Sequence, residues 1–328
     1  MNFPYWLRLL CLCFASFFLI HIGLSLIAWL CARPMILLAE RMRPRSATTF
    51  LFVLRMMPAG LSLLVVLALC VPSYLWLEPE SVAERISIAC VTAALLGFAI
   101  WNIAIARSLW TAVKSLRYTR QCRKAARETT LAGEFLPAFM VEQETPLLAL
   151  TGVIHTRLLI SRGVVSALTA SQLDAALRHE NAHRISRDNL KRLLLLLAPD
   201  VFPFSRIFTS LDRVWTRLSE WAADDHAAGE DSRRALSLAG ALVRVARMGV
   251  APKAPPLLPN LIDDDHDLSI RVDRLLHAQP SHENPPLGRF FRLIVTGATL
   301  AGTGFIAAAM LWPSTLASVH EILERLIH

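Results

Sequence analysis

Apolar residues in this chain gather into long runs separated by short polar links. Four runs are of the length needed to cross a bilayer, about 20 residues. They extend from about Leu9 to Cys31, broken only by His21, from Met56 to Leu77, from Ile86 to Ala106, and from Leu293 to Trp312. A cleaved signal sequence is the rival reading of the first run. Its apolar core is too long and no small-x-small cleavage site follows, so a retained span is expected. After the third run the pattern changes. Residues 107–135 read as a basic helix leaving the membrane and ending near Gly133. Between Phe139 and Val165, the runs at Val141, Thr151–Ile154 and Arg157–Ser161, broken by Pro146 and Gly163, predict two or three strands. The segment 157–161 is expected to be an exposed edge that could pair with an extended peptide.

Helical periodicity then takes over. Ser171, following Thr169 and three residues before Asp174, reads as the cap of a helix from Gln172 to about Ser186. Arg187-Asp188-Asn189 breaks it. The apolar stretch Leu190 to Ala198 is too short to span; it is core helix or lies shallowly in the membrane with Val201–Phe204. Residues 205–228 carry Ile207, Leu211, Val214, Trp215 and Leu218 at helical spacing, and Leu236 to Val245 is a further amphipathic helix. Pro252, Pro255, Pro256 and Pro259 mark an irregular linker. Asp263–Asp267 reads as a solvated loop capping a helix from Leu268 to Leu276, and a second linker, Gln279 to Gly288, leads into the last run.

Composition agrees with a membrane protein: 54% of residues are hydrophobic. The six cysteines form no CxxC pair, so neither a disulfide framework nor a thiolate metal site is expected. The net charge of +8 is distributed in a way that orients the chain. Arg107, Lys114, Arg117, Arg120, Arg123, Lys124 and Arg127 follow the third run with no acid among them. Arg33, Arg41, Arg43, Arg45 and Arg55 surround the first link, whereas the second carries Glu78, Glu80 and Glu84. Positive links stay cytoplasmic. Both termini are therefore expected outside a plasma (inner) membrane, with residues 107 to about 290 inside. The basic excess then serves topology and anionic lipid, with no direct nucleic-acid binding expected.

The cytoplasmic segment holds a candidate chemistry. His179-Glu180-Asn181-Ala182-His183 is an HExxH pentad, and Glu220-Trp221-Ala222-Ala223-Asp224 supplies an ExxxD element. Residues four apart share a helix face, so His179 and His183 can hold one Zn²⁺ with Glu220 as third ligand and a fourth position open to water. Glu180 stands where a general base is needed. Asp224 is read as hydrogen-bonding a ligand imidazole and fixing its tautomer. Asp225 and His226 compete for these roles. His155 is read as a surface or core histidine, His21 as a polar contact between helices, and Gly297, Ala301 and Gly304 as packing points. Periodicity offers no role for Asn181.

These elements, in this order, resemble the M56 peptidase family, integral-membrane metalloproteases that include the β-lactam-sensing antirepressors. The resemblance rests on Leu158–Ser161, Leu173–His183, Arg187-Asp188-Asn189-Leu190, Glu220–Asp224 and the late segment Ile270–Leu276, and extends over essentially the whole chain. It implies that His179, His183 and Glu220 are zinc ligands and Glu180 the catalytic base. Two departures stand out. Only about 16 residues follow Trp312, so a penicillin-binding sensor is not expected, and Thr156 stands where the family has proline.

The expected fold is a mainly α membrane protein: four transmembrane helices and a cytoplasmic α+β, zincin-like domain inserted between the third and fourth. Its parts are a three-span region (1–106), a zinc metalloprotease domain (107–290), and a last span with a short external tail (291–328). The expected activity is zinc-dependent endoproteolysis of a protein substrate, a transcriptional repressor or the chain itself, in signalling; self-association is left open. The rivals are an HtpX-type quality-control protease and a non-catalytic membrane transducer.

Overall fold

A computed structural model describes residues 4–78, 86–124, 126–129, 138–153, 155–201, 206–249, 265–277, 304 and 313–327. Three helical stretches are long and apolar enough to cross a membrane: Tyr5–Glu40, Pro44–Leu77 and Ile88–Lys124, with mean hydropathies of 2.4, 2.2 and 2.1. The first is helix α1 (Tyr5–Glu40). The second comprises α2 (Pro44–Val65), a π-helical turn at Val66–Cys70 and α3 (Val71–Leu77), and the third is α4 (Ile88–Lys124). The expected fourth span, Leu293 to Trp312, falls outside the described residues except for Gly304, as do most of the linkers around it.

Leu10, Leu19, Ile27 and Leu30 on α1, Leu67 and Trp76 on the second stretch, and Leu95, Ile103 and Leu109 on α4 face outward. Smaller side chains face inward. Ala15, Ala28, Ala32 and Ala39 on α1 are buried, and a Cβ at Gly97 of α4 would collide with the backbone of Phe14, so these two helices meet at close range. Three buried hydroxyls are satisfied within their own helices: Ser62 donates to Pro58 O, Ser108 to Ala104 O and Thr111 to Arg107 O. Lipid offers no substitute partner, so this self-satisfaction is required.

The part that follows the three long apolar stretches pairs a four-stranded sheet with a set of helices. The strands are β1 (Ala126–Thr129), β2 (Ala138–Val141), β3 (Leu148–Thr151) and β4 (Arg157–Ser161), in the spatial order β1-β2-β4-β3. β4 runs parallel to β2 and antiparallel to β3. The expectation of an exposed edge at 157–161 is therefore overturned. Leu158, Leu159 and Ile160 are all buried, and an unbroken apolar run marks a strand covered on both faces; the edge beside it is β3. The basic helix is also shorter than expected. It stops at Lys124, and the chain turns into β1, which pairs antiparallel with β2 from Ala126↔Val141 to Thr129↔Ala138.

Six helices follow among the described residues up to 277. They are α5 (Arg162–Ala167), α6 (Ala170–Ser186), α7 (Asp188–Leu197), α8 (Arg206–Ala228), α9 (Ser232–Arg247) and α10 (Asp265–Leu276). Helix α6 is capped by Thr169 in place of Ser171: the Thr169 hydroxyl accepts from Gln172 N, and the Gln172 side chain accepts from Thr169 N. This reciprocal pair needs the glutamine at the third position, which Thr169 has. The last helix, α11 (Pro313–Ile327), lies against the far end of the bundle, with Leu316 and Leu323 buried and Ser73 Oγ donating to Leu316 O.

One core joins β3, β4, α6, α9 and α10 through residues such as Leu158, Leu177, Leu238, Leu242 and Leu275. A second ties α1 and α2 to α8 through Ala32, Ala39, Leu51, Leu211, Trp215 and Leu218. Because Leu242 is wholly buried and Leu236 on the same helix is exposed, the two leucines separate packing from propensity. Leu242→Ala is expected to cost about 2–5 kcal/mol through lost contacts and a cavity. Leu236→Ala should stay within about 0.5 kcal/mol, both read from denaturant unfolding of the purified chain.

Candidate metal centre

Helix α6 carries the pentad in its C-terminal half, and α8 lies across it with Glu220 and Asp224 one turn apart. Their side chains converge. His179 Nε2 stands 3.2 Å from His183 Nε2, 3.4 Å from Glu220 Oε2, and Glu220 Oε1 is 3.6 Å from His183 Nε2. His179, His183 and Glu220 form a group whose ligand atoms all lie within 4.8 Å of one another, and all three residues are buried.

Each imidazole is held from behind by a carboxylate. Asp224 Oδ1 lies 2.9 Å from His179 Nδ1 in an ion-pair contact, and Asp188 Oδ2 lies 2.8 Å from His183 Nδ1 in a hydrogen bond. A carboxylate at Nδ1 fixes the proton there, which leaves the Nε2 lone pair facing inward. The sequence places Asp188 in a helix break and in the Arg187–Leu190 stretch of the resemblance, with no role at the metal. Its position depends on Arg187, a left-handed residue (φ 54°) that ends α6 and starts α7 at once. That conformation costs a side-chain-bearing residue roughly 1–2 kcal/mol, and it swings Asp188 back onto His183. Ser219 Oγ and Lys191 Nζ also bond Asp188, at 3.0 and 3.3 Å. Asn189 donates to Leu150 O and Gly152 O, fastening the start of α7 to β3. The Arg187-Asp188-Asn189 triplet thus connects pentad helix, sheet edge and α8. An acid close behind the second pentad histidine was its only sequence signal.

Two arginines balance the acids. Arg271 of α10, buried, donates through Nε and Nη2 to both oxygens of Asp224 at 2.8 Å each, and its Nη1 lies 3.4 Å from Glu220 Oε2. Arg192 of α7 lies 3.5 Å from Glu220 Oε1. The titration behaviour follows. Burial opposes the charge on Asp224, yet Arg271 holds its carboxyl down at about 2. Burial likewise works against Glu220, but His183, His179 and Arg271 keep it well below the usual carboxylate range. Burial would depress both imidazoles. For His183 the attraction of Glu220 and Asp188 prevails and lifts it to about 10, and for His179 the bonds with Asp224 and Glu220 raise it. The field that retains protons on these rings would equally retain a cation.

Glu180 differs from the other acids. It is buried, its Oε2 has no hydrogen-bond partner among the described residues, and burial raises its carboxyl to about 7 against the pull of both histidines. A carboxyl poised near neutrality can both accept and release a proton.

The rival ligands stand apart. His226 is exposed, and Asp225 pairs with Arg274 at 2.6 Å. His155 is exposed as well, and Asn181 accepts from Arg184 Nε at 2.9 Å, a role periodicity did not reveal. Beside His183, a cavity of about 350 Å³ opens between Leu150, Val153 and Thr156 on one side and Arg184, Arg187 and Leu190 on the other.

The donor set fits a tetrahedral zinc ion. Bonds of about 2.0–2.1 Å place ligand atoms roughly 3.3 Å apart, the spacing of the three groups here. No family model matches this chain, and no curated protein matches it in sequence.

Removing Arg271 takes from Asp224 its arginine and from Glu220 one of two. Arg271→Ala is expected to destabilise the chelator-treated protein by about 3–5 kcal/mol. Arg274→Ala, at a partly exposed pair, should cost about 0–1 kcal/mol, both measured by denaturant unfolding.

Proposed function

We propose that this chain is an integral-membrane zinc endopeptidase of the M56 type, with its site on the cytoplasmic side of the bilayer. The observation that carries the reading is the convergence of His179, His183 and Glu220 beside a buried, near-neutral Glu180. A structural metal site has no use for such a base. Zinc, when bound, supplies Lewis acidity toward a peptide carbonyl and an attacking water.

The residues divide the remaining work. His179, His183 and Glu220 hold the ion, Asp224 and Asp188 keep both rings in the ligating tautomer, and Arg271 and Arg192 hold the Glu220 carboxylate in place. Glu180 takes a proton from the attacking water and delivers it to the leaving amine. Its low solvent exposure removes competing water from that transfer. The cavity beside His183 accommodates an apolar substrate side chain against Leu150, Val153 and Leu190, with Arg184 and Arg187 at its rim.

Topology supports a cytoplasmic site. The turn between α1 and α2, flanked by Arg41, Arg43 and Arg45, lies at the end of the bundle where Glu40 of α1 pairs with Arg217 of α8 at 2.6 Å. The basic end of α4 meets the sheet at the same end, through Tyr118 and Cys122. Positive residues and the catalytic helices therefore share one side. The substrate is a protein reaching that side, such as a repressor or a linker of this chain.

Glu180→Gln separates chemistry from binding. The variant should keep its zinc while new protein N-termini, mapped by proteomics of membranes and cytosol, appear only in cells making the wild type. Identical sets of termini in the two strains would defeat the proposal. Asp188→Asn, which weakens the hold on His183, is expected to lower zinc affinity about 10–100-fold, as read by competition with a chromogenic chelator.

A further inference from the structure

Arg8, near the start of α1, and Glu40, at its end, lie roughly 48 Å apart along the helix. Arg8 therefore marks the end of the bundle remote from the HExxH site. There its Nη1 meets Glu78 Oε1 at 3.4 Å, both side chains being buried. The other Glu78 oxygen faces α11, where His320 Nε2 lies 3.7 Å away, and the same nitrogen lies 3.4 Å from Glu324 Oε1. The ligand atoms of Glu78, His320 and Glu324 all fall within 4.8 Å of one another.

This group repeats the construction of the catalytic centre. A pair spaced i,i+4 on one helix (His320 and Glu324, as His179 and His183) meets a single carboxylate from another helix (Glu78, as Glu220). Its neighbouring separations, 3.4 and 3.7 Å, match the 3.2–3.6 Å found around His179 and His183. One imidazole nitrogen between two carboxylates is a donor set for a first-row divalent ion such as zinc. Charge favours it too. Glu78 and Glu324 bring two carboxylates to the one imidazole of His320. The remaining ring nitrogen, His320 Nδ1, is buried with no hydrogen-bond partner among the described residues. Glu324 is half-exposed, so the group is open to an ion from solvent.

We propose that Glu78, His320 and Glu324 form a second divalent transition-metal site, of the zinc class, which fastens α11 to the end of α3. Without the ion, α11 is held by Leu316, Leu323 and the bonds from Ser73 and Ser87 to its carbonyls. With it, a coordination link joins the final helix directly to the spans. The site is independent of the proteolytic reading, because it shares no ligand with the HExxH centre.

The test is a zinc count on full-length protein in detergent, stripped with chelator, reloaded with zinc and gel-filtered before elemental analysis. The wild type should hold two ions per chain, and both His320→Ala/Glu324→Gln and His179→Ala/His183→Ala one each. A His320→Ala/Glu324→Gln protein with the same count as the wild type overturns the second site. If only the His179→Ala/His183→Ala count stays unchanged, the catalytic reading fails and the second site stands. Tryptic cleavage at Arg325 supplies a readout independent of the count. Zinc should slow it at least threefold in the His179→Ala/His183→Ala protein and leave it unchanged in Glu324→Gln, which loses only a half-exposed carboxyl. Equal protection in both also overturns the proposal.

Discussion

Two imidazole nitrogens face each other at 3.2 Å in a site closed to solvent, each with its far nitrogen pinned by a carboxylate. Lone pairs so arranged repel unless something positive lies between them. In the metal-free protein the carboxylates of Glu220, Asp188 and Asp224 favour protonated rings, which is why burial fails to depress either one. A divalent ion satisfies the same arrangement with Glu220 as third donor. Much of the surrounding structure serves this condition. Arg187 accepts a strained conformation to aim Asp188, Ser219 and Lys191 steady that aspartate, and Arg271 spans Asp224 and Glu220.

The same helices are built into the membrane part. The segment that joins α7 to α8 receives one polar side chain from each of the three spanning stretches. His21 of α1 lies 3.2 Å from Pro199 O, and Arg55 of α2 pairs with Asp200 and Asp212. Arg107 of α4 donates to Leu196 O and Ala198 O. These bonds satisfy the open carbonyls at the C-terminal end of α7. With Ala28, Ala32 and Ala39 of α1 admitting Trp215 and Leu218 of α8, they pack the helices of the metal centre directly against the long apolar helices. Along the apolar stretch of α7 only Leu195 is buried, and the end of that helix is bonded by side chains of the three long apolar stretches.

Some of this was legible from residue order. Runs of bilayer length located the three long helices, and the i,i+4 spacings placed His179 with His183 and Glu220 with Asp224 on one face each, because helical periodicity is a local property. The misjudged features depend on distant partners. Nothing near Arg157–Ser161 says that β2 will pair beside it, although the unbroken burial of Leu158, Leu159 and Ile160 hinted at an interior strand. The turn at Lys124 into β1 is likewise decided by a pairing partner more than ten residues away. Asp188 reaches His183 only through a left-handed residue, and Arg271 comes from a helix 47 residues beyond Asp224. Neither was visible in local spacing. Thr169, by contrast, was available, and Gln172 was the residue that chose it over Ser171.

The central claim concerns what lies between the two rings. X-ray absorption at the zinc edge, on zinc-loaded His320→Ala/Glu324→Gln protein so that only the HExxH centre contributes, reads that shell directly. The account predicts nitrogen and oxygen neighbours at about 2.0–2.1 Å, with the outer-shell scattering of two imidazoles. A shell of oxygen alone, sulfur at about 2.3 Å, or scattering from fewer than two rings would contradict it.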